Sequence, residues 1–469
     1  MNPLRIAVLA TNRNPLSEPF AGGQESLTAA LVTGFRRRGH HVVLFAAAGT
    51  PADLADEVVA YPTLPELSAV AALDPHLPEA SFLVDHHAFT FAAAELARRD
   101  RAGELDVVAN HSLHHLPMSL SRAYDAPVVT TLHTPPFPWM ELGAALATPT
   151  ARFVAVSKAL AAQWSTLTRV VVPNGVDESR FVLGPGADDG RLAWVGRITP
   201  EKAPHLAIDA ARAAGRPLAL VGPISDPSYF EAEIAPRLGD DVEHLGALRP
   251  EEVADVVGRS DGLFVTPAWD EPFGLVAVEG AMCGTPVIAL ARGGLVEVVQ
   301  PEMGVLVDAA ASVNPAAGSP GLPAGVVSTA PDDVLVARLA SAVTELDDLE
   351  RVTVRECAVR HFSLDACIDG HLAVLTDAVA DAGRGSTASL PVERSSARRV
   401  PAVAPVAPPS DAAARRFVIR EDVEPPAGMR PGTAAVVAAT NGVSSAGQFS
   451  ALPGSLAGDV EPGATGATP

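Results

Sequence analysis

The stretch LFVTPAWDEPFGLVAVEGAMCGTPVIAL, residues 263–290, decides the fold class. It opens with a short apolar run, Leu263 to Thr266, and closes with another, Val287 to Leu290. Between them, Gly274 to Met282 has the pattern of a helix. A strand, a helix and a strand in this order are typical of parallel strands joined by a crossover helix. We therefore expect an α/β protein with parallel sheets.

The same alternation covers most of the chain and is interrupted once. Pro173 to Asp177 breaks it, and a loop rich in Gly and Asp follows at 184–190, which indicates a domain boundary. The clearest helices are predicted at Gln24–Arg38, Phe82–Arg99, Lys158–Trp164, Ala203–Ala214, Gly274–Met282 and Val334–Leu346. Strands are predicted at Ile6–Ala10, Val42–Ala46, Val107–Ala109, Val128–Leu132, Phe153–Val156 and Val170–Val172 before the break, and at Leu192–Val195, Leu218–Val221, Val242–Leu245, Leu263–Thr266, Val287–Leu290 and Val305–Val307 after it.

These patterns predict two α/β domains, over residues 1–178 and 179–363. A helix near 364–382 is expected to cross back to the first domain. The segment 312–325, rich in Pro, Gly and Ala, is predicted as a surface loop. From about Gly383 onward large apolar residues are few, so the chain cannot bury enough surface to offset the entropy of ordering. We expect residues 383–469 to be a disordered tail.

Composition limits the functional class. Hydrophobic residues make up 48% of the chain, enough for two sizeable cores, and the formal net charge is -21. An acidic surface of this kind argues against a nucleic-acid-binding protein, which needs a basic footprint. Bulk charge also disfavours adhesion to anionic membranes, although a local basic patch leaves weak peripheral association open. The high content of Ala, Arg and Pro suggests a GC-rich bacterial genome.

Targeting and redox signals favour the cytoplasm. The three cysteines, Cys283, Cys357 and Cys367, form no CxxC pair, so a disulfide framework or a structural zinc site is not expected. The N-terminus lacks a basic region followed by a long apolar stretch, and no apolar run reaches about eighteen residues. We therefore expect neither a signal peptide nor a transmembrane helix.

The stretch from Glu271 to Glu279 carries the strongest functional signal. Its two carboxylates lie eight positions apart, or about 12 Å along a helix, which is comparable to the span from a hexose across a diphosphate to a ribose. Free amides at a helix start near Phe273 or Gly274 would attract phosphate oxygens. Glu279 on the helix surface is the alternative, but its neighbours are apolar, and a charge among them needs a partner.

Two further turns could contact an anion. Gly22 and Gly23 open the first helix and allow a ligand to approach the backbone, although a plain tight turn explains them equally well. Arg197 and Lys202 follow a predicted buried strand, where a forked guanidinium and an ammonium suit a diphosphate. A solvated basic pair is the alternative for these two residues.

Histidines form the last group of candidates. His133 ends an apolar strand, where it could donate a hydrogen bond to a sugar or phosphate or act as an acid–base group; a structural histidine is the alternative. His111, His114 and His115 form a cluster with Asp85-His86-His87 upstream. A zinc site there lacks an obvious fourth ligand, so we expect these residues to line the acceptor side of a cleft or to pack locally.

Together these motifs resemble glycosyltransferase family 4, the large retaining family with the GT-B fold. The resemblance covers roughly residues 1–382. Ala203 departs from the pattern, because the family usually has Gly after its donor lysine. The matching segments are Glu271 to Glu279 for the E-x7-E signature, Gly196-Arg197 with Lys202 for the G-R-x4-K motif, Gly22-Gly23 for the N-terminal glycine loop, and Pro173 to Asp177 for the P-N-G-V-D hinge.

The resemblance implies two Rossmann-like doubly wound domains facing across a cleft, a nucleotide-diphospho-sugar (UDP-, GDP- or ADP-sugar) as co-substrate, and no cofactor or metal. The acceptor would be a sugar, a lipid or a small molecule. Front-face substitution is the expected mechanism, with His133 and Glu271 as the catalytic residues. The implied donor contacts are Gly22, Gly23, Arg197, Lys202, Gly274 and Leu275 for the diphosphate, Glu271, Phe273 and His133 for the sugar, and Glu279 for the ribose.

Two other classes remain open on this sequence. A nucleotide-sugar epimerase or a phosphorylase of the same fold would be a different enzyme, and an epimerase would need no acceptor. A pyridoxal-phosphate phosphorylase would normally be a much longer chain with a cofactor lysine. A non-catalytic module that binds nucleotide-sugars is the third class, against which the presence of the full set of candidate residues argues.

Overall fold

The computed structural model describes residues 2–74, 76–168, 170–310 and 330–387, with side chains up to 383. Within these residues the strands form two parallel sheets, one of seven strands and one of six. The predicted α/β class with parallel sheets is therefore confirmed. The predicted loop at 312–325 and the predicted tail from 388 onward lie outside the described residues.

The first sheet has the strand order β3-β2-β1-β4-β5-β6-β7. The chain therefore starts in the middle of the sheet, builds one side and then crosses to build the other. Its strands are β1 (Arg5–Leu9), β2 (His41–Ala46), β3 (Glu57–Ala60), β4 (Val107–Asn110), β5 (Val128–Leu132), β6 (Arg152–Ala155) and β7 (Val170–Val171).

The second sheet repeats this pattern, with the order β10-β9-β8-β11-β12-β13. In each sheet the order reverses beside the first strand, which is where open parallel sheets bind ligands. The strands are β8 (Leu192–Val195), β9 (Leu218–Val221), β10 (Val242–His244), β11 (Gly262–Val265), β12 (Val287–Leu290) and β13 (Gly304–Val307).

Helices connect the strands on both faces of each sheet. Short 3-10 segments lie at 71–73, 121–123, 235–237 and 343–348, and a π-helical segment lies at 230–234. The α-helices are α1 (Gly23–Arg37), α2 (Ala80–Arg101), α3 (Leu116–Ser119), α4 (Pro138–Leu146), α5 (Lys158–Gln163), α6 (Pro204–Ala213), α7 (Pro227–Tyr229), α8 (Pro250–Gly258), α9 (Leu275–Met282), α10 (Leu295–Val298), α11 (Asp332–Ala342), α12 (Arg351–Phe362) and α13 (Leu364–Thr387).

Every predicted strand is present, with ends that agree to within one residue. One strand, β3, is absent from the prediction. It has four residues at the edge of its sheet, and none of them is fully buried. Such a strand lacks the apolar run that marks the central strands, so its sequence resembles a loop.

The helix α13 packs on the first sheet, although it follows the second sheet in the chain. The side chain of Ile368 fills the space over Gly34 of α1, where a Cβ atom would lie 2.2 Å from its Cδ1. At the end of α1, Arg38 makes ion pairs with Asp365 and Asp369. The helix also runs to Thr387, past Gly383, where the sequence analysis begins the tail.

The chain passes between the sheets at two places, and these passages pair with each other. Val176 bridges Ser363 in parallel orientation. The amide of Val176 donates to the carbonyl of Phe362 at 3.0 Å, and the amide of Leu364 donates to the carbonyl of Val176 at 3.0 Å. The two sheets are thus connected by two segments of the chain that are hydrogen-bonded to each other. In the described residues, no helix is long and apolar enough to span a bilayer.

Replacing Ile368 by alanine should lower the free energy of unfolding by about 2–5 kcal/mol, because the side chain is fully buried between α13 and α1. Chemical denaturation followed by circular dichroism measures the loss. Val352→Ala on α12 is the matched control, since Val352 is 53% exposed and should cost under about 0.5 kcal/mol. Equal losses in the two variants would contradict the packing of α13.

Candidate active site

The candidate site lies where the carboxyl ends of the two sheets meet. The hydroxyl of Ser157, just after β6, donates a hydrogen bond to the carbonyl of Pro272 at 2.6 Å. The same hydroxyl caps α5 by accepting from the amide of Leu160 at 3.0 Å. Two residues on, the amide of Ala159 donates to the carboxylate of Glu297 at 2.8 Å. These contacts fix the loop before α9 against the first sheet.

The glycine loop of the first sheet touches the start of α9. A Cβ atom on Gly23 would lie 2.7 Å from Cδ1 of Leu275, so a larger residue here would force the leucine side chain to move. Gly274 precedes the helix with φ of 97°, a left-handed conformation that favours glycine. The sequence prediction had placed the helix start at Phe273 or Gly274, and the helix begins at Leu275. Gly22, Gly23, Gly274 and Leu275 are therefore brought together.

The amides at this helix start have no protein partner. Within the described residues, the backbone N–H groups of Phe273, Gly274 and Leu275 donate to no carbonyl and no side chain. Free amides at a helix start carry partial positive charge and bind anions. The side chain of Phe273 points away into the core, where it packs edge-on against Phe362 with ring centroids 5.8 Å apart. The arrangement suits an oxyanion such as a phosphate.

Lys202 and Glu271 form the central ion pair of the site. Lys202 Nζ lies 2.7 Å from Glu271 Oε2, and both side chains are mostly buried. The indole N–H of Trp269 donates to the same oxygen at 3.0 Å, and the lysine also lies over the indole ring at 5.5 Å. One cation and one carboxylate from separate motifs thus compensate each other, which lowers the cost of burying both.

Arg197 lies at the same edge of the sheet but has a different partner. Its guanidinium is 3.5 Å from Glu201, and both side chains are more than a third exposed. Such an exposed pair stabilises by only about 0.3–0.5 kcal/mol, so a stronger anion displaces it easily. Ala203, where the family usually has Gly, adopts φ of 45°. This left-handed conformation strains an alanine, which explains the preference for glycine.

Glu279 lies on α9 and is partly buried. In the part of the chain that the structure describes, no group donates a hydrogen bond to its carboxylate. Burial raises its pKa from 4.5 to about 7. A carboxylate held without a partner at this depth is suited to binding hydroxyl donors.

His133 follows β5 and contacts a second histidine. Its Nε2 atom lies 3.2 Å from Nδ1 of His111. Burial, followed by the nearby His371, lowers the pKa of His133 to about 3. The imidazole is therefore neutral at physiological pH, which favours a role as a hydrogen-bonding group over one as a charged acid.

The other clustered histidines pack against aromatic rings. His114 stacks on Phe89 with centroids 4.5 Å apart, and His115 stacks on Trp139 at 5.1 Å. Among the described residues, no group of three or more His, Cys, Asp or Glu side chains is arranged to hold a metal ion. Cys283 is fully buried, as expected for a small hydrophobe.

Comparisons with known proteins agree with these motifs. The model described as "Glycosyltransferase Family 4" matches residues 21–180, and "Glycosyl transferases group 1" matches residues 175–317. The D-inositol 3-phosphate glycosyltransferase of Mycolicibacterium smegmatis is 30% identical over 65% of this chain and 80% of its own length. That of Rhodococcus erythropolis is 32% identical, with the same coverage. The chain belongs to glycosyltransferase family 4.

Solved structures give the same architecture for this glycosyltransferase. The glycosyltransferase of Rickettsia africae superposes with a TM-score of 0.60 at 17% identity, covering 81% of this chain and 99% of that one. HepE of Anabaena, solved in complex with UDP and glucose, superposes with a TM-score of 0.58 at 20% identity, covering 80% and 99%. The predicted GT-B fold is confirmed, and the protein is an enzyme of the transferase class.

Two groups in the site of the glycosyltransferase escaped the sequence analysis. Trp269 lies two positions before Glu271, and its placement beside the E-x7-E signature was the only sequence signal of a role. His371 lies on α13, far from the other motifs, and is 3% exposed. The sequence could have indicated His371 only as a polar residue on the apolar face of a helix. Such a residue usually has a purely structural role.

The raised pKa of Glu279 should make stability depend on pH. Below pH 4.5, the ordinary pKa that the Glu279 carboxyl has in the unfolded chain, this group is neutral in both the folded and the unfolded protein. As the pH rises towards 7, the carboxyl ionises first in the unfolded chain. Relative to Glu279→Gln, the wild type should thus lose about 3 kcal/mol of unfolding free energy across this window. Chemical denaturation at pH 4.5 and pH 8 measures this difference. The exposed Glu345→Gln variant is the control; wild-type behaviour in Glu279→Gln would contradict the assignment.

Proposed function

We propose that the protein is a retaining, metal-independent glycosyltransferase that moves a sugar from a nucleotide-diphospho-sugar to an acceptor hydroxyl. The observation that carries this proposal is the start of α9, where three adjacent amides have no partner among the described residues and Lys202 lies on the neighbouring loop. A diphosphate satisfies these amides and the lysine at once. Among the structural neighbours, HepE was solved with UDP and with UDP-glucose, which supports this class of donor.

The donor would be held along α9. The amides of Phe273, Gly274 and Leu275 bind the phosphate nearest the sugar, with the Gly22-Gly23 loop closing over it from the first sheet. Arg197 exchanges its weak pair with Glu201 for the diphosphate.

The two glutamates would bind the ends of the donor. Glu279 accepts hydrogen bonds from the ribose hydroxyls, since no group in the described part of the chain donates to its carboxylate. Glu271 accepts from hydroxyls of the transferred sugar while Lys202 remains within reach of the phosphate. Glu271 lies in the loop before α9 and Glu279 on the second turn of that helix, so in the chain the two carboxylates flank the free amides, which fits this division.

In the transfer step, the bond between the anomeric carbon and the phosphate oxygen breaks, and its electron pair stays on the phosphate. The acceptor hydroxyl forms the new bond on the same face of the sugar, and its proton moves to the departing phosphate oxygen. Lys202, Arg197 and the free amides stabilise the charge that develops on the leaving group, which is the task a metal ion performs in other transferases. His133, as a neutral imidazole, donates a hydrogen bond to the sugar or the phosphate.

A thermal-shift screen against UDP-, GDP- and ADP-sugars tests the donor site. A bound donor at a hundred times its Kd should stabilise the protein by about 2.7 kcal/mol. Lys202→Ala should weaken binding of the matching nucleoside diphosphate at least about tenfold, because a charge-assisted contact is lost. Arg259→Ala, an exposed cation at the end of α8, is the control. Unchanged affinity in Lys202→Ala would count against the site.

Replacing His133 by alanine should lower the turnover rate and leave the affinity for the nucleoside diphosphate almost unchanged. The measured rate is the release of nucleoside diphosphate from the nucleotide-sugar that stabilises the protein most in the screen. This rate should fall about a hundredfold, a loss typical of removing one hydrogen-bond donor to a transition-state oxygen. The Kd for the nucleoside diphosphate should change less than threefold, a margin of about 0.6 kcal/mol. His361→Ala on the exposed end of α12 is the control, and EDTA should leave wild-type turnover intact. Full turnover in His133→Ala would remove this residue from the mechanism.

A further inference from the structure

The helix α4 presents an apolar face to solvent. It packs against the rest of the protein through Met140 and Gly143, which are both buried. On the opposite side, three large apolar side chains recur at helical spacing. These are Trp139, Leu142 and Leu146, which are 52%, 58% and 60% exposed and form the α4 patch. The outer face of a surface helix is normally polar, and an exposed apolar patch of this kind marks a binding surface.

A row of ring contacts leads from the α4 patch into the protein. The indole of Trp139 stacks on His115 with centroids 5.1 Å apart, and His115 contacts His114 at 4.4 Å. His114 in turn stacks on the buried Phe89 at 4.5 Å. From the start of α2, the ring of Phe82 approaches the indole at 6.1 Å. The rings from α2, α4 and the loop between β4 and α3 thus hold the indole in place at the surface.

The α4 patch begins beside the candidate active site. Trp139 follows His133 by six residues, on the chain that leaves the carboxyl end of β5. His115 follows His111 by four residues, on the chain that leaves the carboxyl end of β4. The side chains of His111 and His133 are 3.2 Å apart, so the two loops lie side by side at the edge of the sheet. The patch is therefore continuous with the wall that the first sheet contributes to the site.

The groups along this row carry no net charge. Burial lowers the pKa of His115 and lowers that of His114 to about 3, so both rings are neutral at physiological pH. Next to them, the guanidinium of Arg13 pairs with Asp85 at 2.9 Å, so these two charges compensate each other. Aromatic faces without a charge suit an uncharged ligand better than a phosphate or a carboxylate.

A second copy of the chain and a membrane fit the α4 patch less well. Each partner of a stable dimer buries roughly 800 Å². Even at about 250 Å² for each complete side chain, the partly exposed patch and Phe82 together offer less. Helices that lie on membranes carry Lys and Arg on their polar face, whereas the one charged residue of α4 is Glu141. An anion at this place is repelled by acidic lipids.

We propose that the α4 patch binds an apolar portion of the acceptor, and that the acceptor is an uncharged hydroxyl compound with a hydrocarbon substituent. Trp139 covers the part of the substituent nearest the reacting hydroxyl, and Leu142 and Leu146 cover the part beyond it. From Trp139 to Leu146 the helix rises about 10 Å, which is long enough for an alkyl chain. The role of the bound molecule as acceptor rests on the proposed function, whereas its binding to the patch does not.

Octyl β-D-glucoside, kept below its critical micelle concentration, tests the patch. Methyl β-D-glucoside is the matched probe, with the same sugar and no alkyl chain. In calorimetric titration of the full chain, the octyl compound should bind at least about tenfold more tightly, because its chain leaves water. Tryptophan emission should shift to shorter wavelength as Trp139 is covered, since Trp164 and Trp194 are each only 2% exposed. This shift should be absent in Trp139→Phe.

The double variant Leu142→Ser/Leu146→Ser removes the apolar face and leaves the buried face of α4 intact. It should bind the octyl compound no more tightly than the methyl compound, while the Kd for the nucleoside diphosphate stays within about threefold. Val352→Ser on α12 is the control, since Val352 is equally exposed at 53% and lies on another helix. Thermal unfolding verifies that each variant is folded. Leu142→Ser alone should weaken octyl binding about threefold if the double variant is unfolded.

The rate of nucleoside diphosphate release tests the role as acceptor. The donor is the nucleotide-sugar that stabilises the protein most in the screen. Octyl β-D-glucoside should change the rate, either raising it by accepting the sugar or lowering it by excluding water, and the double variant should show no change. Inositol 3-phosphate, the compound in the names of the relatives, should bind more weakly than octyl β-D-glucoside.

Several results would overturn the inference. They are equal affinity of the wild type for the two glucosides, tight octyl binding by the double variant, tighter binding of inositol 3-phosphate, and a wild-type rate that the octyl compound leaves unchanged. A dimer that dissociates in the double variant, measured by ultracentrifugation, would assign the patch to a second copy. Sedimentation with phosphatidylglycerol vesicles that the double variant loses would assign it to a membrane. Octyl binding at the patch without stabilisation by any nucleotide-sugar would overturn only the proposed function.

Discussion

The structure depends on the close contact between the glycine loop of the first sheet and the start of α9 in the second. Gly23 lies so close to Leu275 that a side chain at Gly23 would displace the leucine, and the Ser157 hydroxyl holds the loop before α9 through the Pro272 carbonyl. Since each sheet is parallel, all its strands end at one edge, and this contact turns the two edges towards each other. Charged groups from distant parts of the sequence can then act on one ligand.

Most of the fold could be predicted from the sequence because central parallel strands are buried on both faces. The runs at Val128–Leu132 and Leu218–Val221 are buried throughout and have the predicted bounds. The edge strand Glu57–Ala60 has no such run and was missed. The resemblance to the family likewise placed Lys202 and Glu271 in one expected donor site, and the side chains of these two residues meet directly. His371 could not be placed, since its proximity to His111 arises from the path of α13 across the molecule and not from any local pattern.

The electrostatics of the site combine compensated charges with neutral rings. Lys202 and Glu271 neutralise each other, so both can be buried without a ligand. Among the described residues Glu279 and His133 have no oppositely charged partner, and burial pushes each of them towards its uncharged form. Under the proposed function, a dianionic diphosphate would meet positive charge that is already oriented, and a sugar would meet hydrogen-bonding groups that carry no charge.

The paired passages at Val176 and Ser363 have a mechanical consequence. Two adjacent, hydrogen-bonded crossings resist sliding and shear, but they allow rotation about the line that runs through them. Any opening of the enzyme is then a rotation of one sheet relative to the other about this axis. Each group moves further the greater its distance from the axis. Groups near the axis, such as Phe273 against Phe362, stay almost still, whereas the outer rims of the two sheets travel furthest. A large acceptor could thus be admitted at the rim while the geometry around the leaving group is left undisturbed.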